Sequence, residues 1–210
     1  SVTALDSGVF EGCTGLVTII FEPGRTISAI PGRAFYGCTS LVSFTAPNSC
    51  YLVAAYAFAN CTSLEGVDFT FVTAIRDFAF ENCSSLKEIE LPVTIESYGK
   101  QIFKGCSGLE DLTFSFFDEN QTLSHLFGET QPTQTDEGYI SVQRGENSYD
   151  IPVSLKHIQV IGDSLPEGAL KNFAYIHSVS LSEEITQIKT STFYGCSALK
   201  NLDVKFIGRI

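Results

Sequence analysis

One heptapeptide, Phe-x-[Gly/Asn]-Cys-[Thr/Ser]-x-Leu, recurs six times in phase, and this recurrence constrains the fold more than any other property of the chain. The copies begin at Phe10, Phe35, Phe58, Phe80, Phe103 and Phe193 and end at Leu16, Leu41, Leu64, Leu86, Leu109 and Leu199. The first five follow one another at a nearly constant step, and a longer gap then separates Phe103 from Phe193. The gap contains further units. Leu170, Phe173 and Ile176 hold the Phe, Cys and Leu places one step before Phe193, and Leu155-Lys-His-Ile158-Gln-Val160 matches the stretch that comes after each heptapeptide. A unit of about 23 residues cannot bury its apolar face alone, so such units stack into a solenoid with one continuous core.

Each heptapeptide leucine opens the pattern Leu-x-x-φ-x-φ, where φ is apolar. Examples are Leu64-Glu-Gly-Val67-Asp-Phe69 and Leu86-Lys-Glu-Ile89-Glu-Leu91. The alternation has period two and predicts a half-buried strand. Pro23, Pro47 and Pro92 come next and end it, because proline donates nothing to a ladder. Eight strands are expected, centred on Ile19, Phe44, Val67, Ile89, Leu112, Ile158, Val179 and Leu202. A second short apolar step is expected near Ile30, Ile75 and Ile188. The segment before each Phe, such as Gly32 to Tyr36, is too short for a regular helix and reads as one helical turn on the outer side. The expected fold is a curved, right-handed solenoid, mostly β, with a parallel sheet on one side.

The run Ala-Phe-x-Gly-Cys-x-Ser-Leu-x-x-Ile-x-Leu-Pro resembles the BspA-like leucine-rich repeats, and Phe35 to Pro47 and Phe80 to Pro92 carry it most fully. The resemblance spans residues 4–115 and 153–204. It implies an adhesive module of a cell-surface or secreted protein, because the family is known from surface proteins of host-associated bacteria and of a protozoan parasite. It brings no catalytic residues with it, so no enzyme is expected. The implied partner is a protein, such as a host matrix or cell-surface protein. The alternative is a passive spacer that presents another domain.

Composition narrows the partners. The chain has 13 Lys and Arg against 24 Asp and Glu, a net charge of −11. Nucleic acid and anionic membrane surfaces need clustered cations and are disfavoured. With 44% hydrophobic and 18% charged residues the chain has enough apolar surface to fold. No apolar run is long enough to predict a transmembrane helix. The absence of Met, a first residue inside a repeat and an apolar last stretch lead to the expectation of a fragment of a longer chain. Residues 1–210 are expected to form one solenoid, with a non-repeat insertion at 115–152 projecting as a loop or hairpin. Within it Tyr139 to Gln143 alternates like a strand, and Gly145 to Ser148 reads as a turn.

Four residue sets could carry chemistry. The heptapeptide cysteines, Cys13, Cys38, Cys61, Cys83, Cys106 and Cys196, share one phase and lack the tight pairs of a zinc site. They read as a buried column of small apolar groups, and no metal or cofactor is expected. Cys50 lies outside that column and is expected to be the exposed thiol. His125, His157 and His177 lack metal-ligand spacing. Asn60 and Asn82 fall in glycosylation patterns, but their alternation with Gly reads as a left-handed turn; Asn120 stays open. The outward strand positions remain. Asp68, Glu88, Glu90 and Asp111, with Glu65 and Glu110 beside them, form an acidic stripe suited to a basic segment of a partner. Thr113, His157, Gln159 and Asp203 extend the candidate binding face. Oligomeric state is not legible.

Overall fold

Two left-handed residues bend each unit. The computed structural model describes residues 2–22, 24, 26–116, 123–130, 138–144 and 147–205. The [Gly/Asn] place of the heptapeptide has positive φ at Gly12, Gly37, Asn60, Asn82, Gly105, Asn172 and Gly195. So does the residue two before each Phe: Gly8, Arg33, Tyr56, Phe78, Gln101, Gly168 and Ser191. Alternation of left- and right-handed residues aims every second N–H along the stacking axis. Arg33, Phe35 and Gly37 donate to the carbonyls of Ala55, Ala57 and Ala59 in the next coil, at 3.1, 2.8 and 2.8 Å. A side chain at positive φ costs on the order of 1 kcal/mol, and these inter-coil bonds offset it. The outer segments are therefore hydrogen-bonded turns and not the helical turns expected. Among the described residues the one helical piece is a 3-10 turn, Leu123–Leu126.

The strands of the coils form three parallel ladders on two sides. On the front lie β2 (Ser43–Thr45), β4 (Gly66–Asp68), β6 (Glu88–Glu90), β8 (Asp111–Ser115), β12 (His157–Ile161), β13 (Ser178–Leu181) and β14 (Asn201–Val204). They pair as β2-β4 and as β14-β13-β12-β8-β6, with no ladder joining β4 to β6. Seven of the eight expected strands are thus present. The segment around Ile19 forms no ladder, although Val42 donates to the Val17 carbonyl at 3.2 Å. On the second side β1 (Ala29–Ile30), β3 (Leu52–Val53), β5 (Ala74–Ile75) and β7 (Ser97–Tyr98) pair in the order β1-β3-β5-β7. Ile30 and Ile75 sit there as expected. Ile188 does not: it is outside any strand and exposed.

The columns meet in one core. Phe10, Phe35, Phe58 and Phe80 stack in parallel, with centroids 5.3, 5.2 and 5.5 Å apart and planes within 13°. Phe103 continues the stack, 5.9 Å from Phe80. Phe44 and Phe69 cross it edge-on or tilted, as aromatic quadrupoles favour. Leu41, Leu64, Leu86, Leu109, Leu155 and Ile176 are buried beside them.

The insertion begins inside a repeat. Phe127 stands 6.1 Å from Phe103, and the Phe103 N–H donates to the Leu126 carbonyl at 2.7 Å. Phe127 therefore occupies the Phe column, one coil after Phe103. Pro152 takes the Cys place, because Leu155 donates to its carbonyl as Leu109 does to that of Cys106. Between them lies a three-stranded antiparallel sheet of β9 (Gly128–Thr130), β10 (Tyr139–Arg144) and β11 (Asn147–Pro152), ordered β10-β11-β9. β10 covers the alternating Tyr139 to Gln143, whereas no alternation announces β9. Of the turn expected from Gly145 to Ser148, Asn147 and Ser148 belong to β11 instead, while residues 145–146, like Asn120, lie outside the described residues.

Candidate functional site

The strand register decides which side chains share the front surface. β6 and β12 flank β8, pairing Glu88 and His157 with Asp111, and Glu90 and Gln159 with Thr113. β13 and β14 come next, so Ser178 pairs with His157 and Asp203 with Ser180. β6 alternates exposed, buried, exposed, so Glu88 and Glu90 face solvent while Ile89 is 3% exposed. A slip of one residue would have reversed this. Asp68, Asp111, His157, Gln159 and Asp203 are also exposed, and Thr113 is half-buried.

Asp68, Glu88, Glu90 and Asp111 come together around an open hollow of about 580 Å³, which Val67, Phe69, Ile89 and Pro92 floor in part. The hollow lies where β4 and β6 fail to pair. Like charges on neighbouring strands repel, and Asp68 and Glu90 hold equivalent places on either side of that gap. The Asp68 carboxylate accepts from the Thr70 hydroxyl at 2.9 Å. A second hollow, of about 810 Å³, lies over the first two coils beside Ile20 and Thr45. His157 and Asp203 fall outside the acidic hollow, towards the last coils. The His157 Nδ1 lies 2.6 Å from the Ser178 hydroxyl.

The cysteine column has a part that sequence did not reveal. The thiols of Cys38, Cys61, Cys83, Cys106 and Cys196 donate to the carbonyls of Phe10, Phe35, Phe58, Phe80 and Leu170, at 3.0–3.2 Å. Each sulfur thus ties its coil to the previous one. Burial pushes the Cys61 and Cys106 thiols up to about 12 and raises Cys83 well above its ordinary value. These are protonated, unreactive groups. No disulfide joins the described cysteines, and among the described residues no three His, Cys, Asp or Glu side chains gather as a metal site.

Cys50 overturns an expectation. It is 1% exposed, and the exposed thiol is Cys13. Cys50 belongs to another internal column, with Ile27, Val72 and Ile95, each one coil from the next. That recurrence was the available signal. Asn60 and Asn82 have φ of 62° and 60°, and the Asn82 amide donates to the Asn60 side chain at 2.9 Å. Their place in the turn is structural.

Stacked coils with parallel ladders on two sides define a leucine-rich repeat solenoid. The chain belongs to the BspA type leucine rich repeat region family, whose model matches residues 3–130 and 147–207 in six copies. No curated protein matches it significantly. Among solved structures it is similar to the pneumococcal vaccine antigen PcpA, at 17% identity and a TM-score of 0.61 over 86% of this chain and 40% of that one. It is also similar to a leucine rich repeat protein of T. pallidum (24% identity, TM-score 0.46, 87% of this chain and 65% of that one). A leucine rich cell surface protein of Faecalibacterium prausnitzii matches over 99% of this chain and 70% of its own, at 17% identity and TM-score 0.49. The chain thus spans less than two thirds of the T. pallidum and pneumococcal proteins. The PcpA likeness shows the fold. Among the described residues no helix is long and apolar enough to cross a membrane.

Proposed function

We propose that this chain is a non-enzymatic protein-binding module of a surface or secreted protein, and that residues 1–210 work as one solenoid presenting its front sheet. Leucine-rich repeats commonly serve protein interaction, and one similar structure is described as a cell surface protein. The observation that carries the reading is the placement of Asp68, Glu88, Glu90 and Asp111 around the hollow between β4 and β6. A basic, extended segment of a host or matrix protein fits over that hollow, where its cations meet four carboxylates. Electrostatic complementarity of this kind speeds encounter and selects partners.

The test is binding of the chain to a panel of extracellular-matrix and cell-surface proteins, beside the Glu88→Lys, Glu90→Lys variant. Both side chains face solvent, so the variant should fold. Binding that weakens with salt and disappears in the variant supports the acidic face. Binding indifferent to the variant moves the interface elsewhere, and no binding to any member favours a spacer.

A further inference from the structure

The front sheet holds a second concentration of charge, of opposite sign and in other coils. The residue after the heptapeptide leucine is Lys156, His177 and Lys200 in three successive coils, and His157 adjoins Lys156. The backbone fixes this row: His177 N–H donates to the Lys156 carbonyl at 2.8 Å and Lys200 N–H to the His177 carbonyl at 2.9 Å. Neighbours in the row are one strand spacing apart, ~4.8 Å. The ion pairs of the described residues, Arg33–Glu11 and Lys104–Glu81, involve none of these four. Like charges held side by side on parallel strands cost stability unless something offsets them. His177 registers the crowding: desolvation first, then Lys200, Lys156 and His157, hold its imidazole below the usual pKa. In a chain with 13 Lys and Arg against 24 acidic residues, a basic row in three successive coils stands out from the surface average.

Its surroundings are polar. Ser178, Ser180, Gln159 and Asn201 offer hydroxyls and amides from the same sheet. Tyr175 is 45% exposed, with the Lys156 ammonium 5.2 Å from its ring centre. Both hollows described above lie in the first five coils, and neither reaches this row with apolar walls to anchor a peptide side chain.

We propose that Lys156, His157, His177, Lys200 and Tyr175 form a binding surface for an acidic polysaccharide, one bearing sulfate or carboxylate groups. The cations meet the acid groups with charge-assisted hydrogen bonds. The serine hydroxyls and side-chain amides bond to sugar hydroxyls, and the tyrosine ring offers a face to a pyranose. Three lysine or histidine groups at one and two strand spacings match a polyanion better than a single ion. An extended peptide would want pockets for its anchors. The groups facing His177 are Lys156, His157 and Lys200; Asp111 stands beside His157 on β8, Glu110 beside Lys156, and Asp203 on β14. An oxyanion favours the charged imidazole, so binding takes up protons and tightens as pH falls through the histidine range. This surface adjoins the hollow between β4 and β6 through Asp111, which lines that hollow and pairs with His157, but none of its own five residues lines the hollow.

The test is calorimetric titration of the whole chain with four probes at low salt, at about pH 5.5 and 7.5. The probes are a heparin oligosaccharide, a hyaluronan oligosaccharide, a neutral dextran oligomer and a polyglutamate peptide. The expected result is binding of an acidic saccharide and not of dextran, tighter at the lower pH. Heparin alone would assign sulfate, and both saccharides would assign the shared acid chemistry. The variant Lys156→Gln with Lys200→Gln should weaken binding about tenfold per charge removed. Lys171→Gln, on the outer turns, should leave it unchanged. Failure of both acidic saccharides to bind overturns the proposal. So does affinity unmoved by a double variant that melts like the parent, or polyglutamate bound as tightly as the better saccharide.

Discussion

At the scale of single residues, the left-handed turn of each coil sets the strictest demand. Asn82 lies over the turn of the next coil, and a Cβ placed on Gly105 would meet its side-chain oxygen at 2.0 Å. A Cβ on Gly12 would meet nothing within 4 Å. Both glycines have φ above 70°. Gly12→Ala should therefore cost about 1 kcal/mol of backbone strain, and Gly105→Ala distinctly more. Urea titration of the two variants will tell; equal costs would show that Asn82 swings away freely. The buried thiols give a second expectation. Cys61 and Cys106 keep their protons up to about pH 12 when folded, whereas an unfolded thiol loses its proton near pH 8.5. Their raised folded values mean that the stability they confer is whole below about pH 8.5 and is lost as pH climbs towards 12, by about 1.4 kcal/mol per pH unit and thiol. Urea midpoints across the alkaline range should fall, and less steeply in Cys61→Ala with Cys106→Ala. At neutral pH a thiol reagent should label Cys13 of the folded chain first and leave Cys50 unmodified.

At the scale of elements, the antiparallel sheet fills a place between Phe127 and Pro152 that two residues fill elsewhere, as Lys104 and Gly105 do between Phe103 and Cys106. Replacing residues 128–151 by Lys-Gly should restore an ordinary outer turn. Phe127 and Leu155 keep their columns, so the chain should fold with its ladders in place. Some stability is lost with Val142, Tyr149 and Ile151, which are buried. Circular dichroism and thermal melting check this, and an unfolded product would make the small sheet a structural necessity.

At the scale of the whole molecule, each coil touches its neighbours, so stability is close to a sum of coil and interface terms. Phe58 stacks between Phe35 and Phe80 and packs on Phe44 and Phe69, whereas the half-buried Phe10 stacks on Phe35 at one end of the column. Phe58→Ala should cost about 3–5 kcal/mol and Phe10→Ala about half that. Melting followed by calorimetry should also broaden for the central variant, as the array divides into two weakly coupled parts.

The columns that build the core were legible because each recurs once per coil and stays apolar even where Leu170 replaces Phe or Phe173 replaces Cys. Period and alternation thus determined the solenoid, the strand centres from Phe44 onward and the outward positions of Glu88 and Glu90. Cys50 was misplaced because it follows the turn-like Pro47-Asn48-Ser49, although Ile27, Val72 and Ile95 hold the same buried place in other coils. Ile19 forms no ladder despite its alternation, although the Val42 N–H reaches the Val17 carbonyl of that coil. The break between β4 and β6, the thiol bonds to the preceding coil and the Lys156–His177–Lys200 row are relations between residues of different coils. By itself the sequence determines what each coil contributes. Only the stacking of one coil on the next, through inter-coil hydrogen bonds and side-chain volume, decides which of those contributions meet.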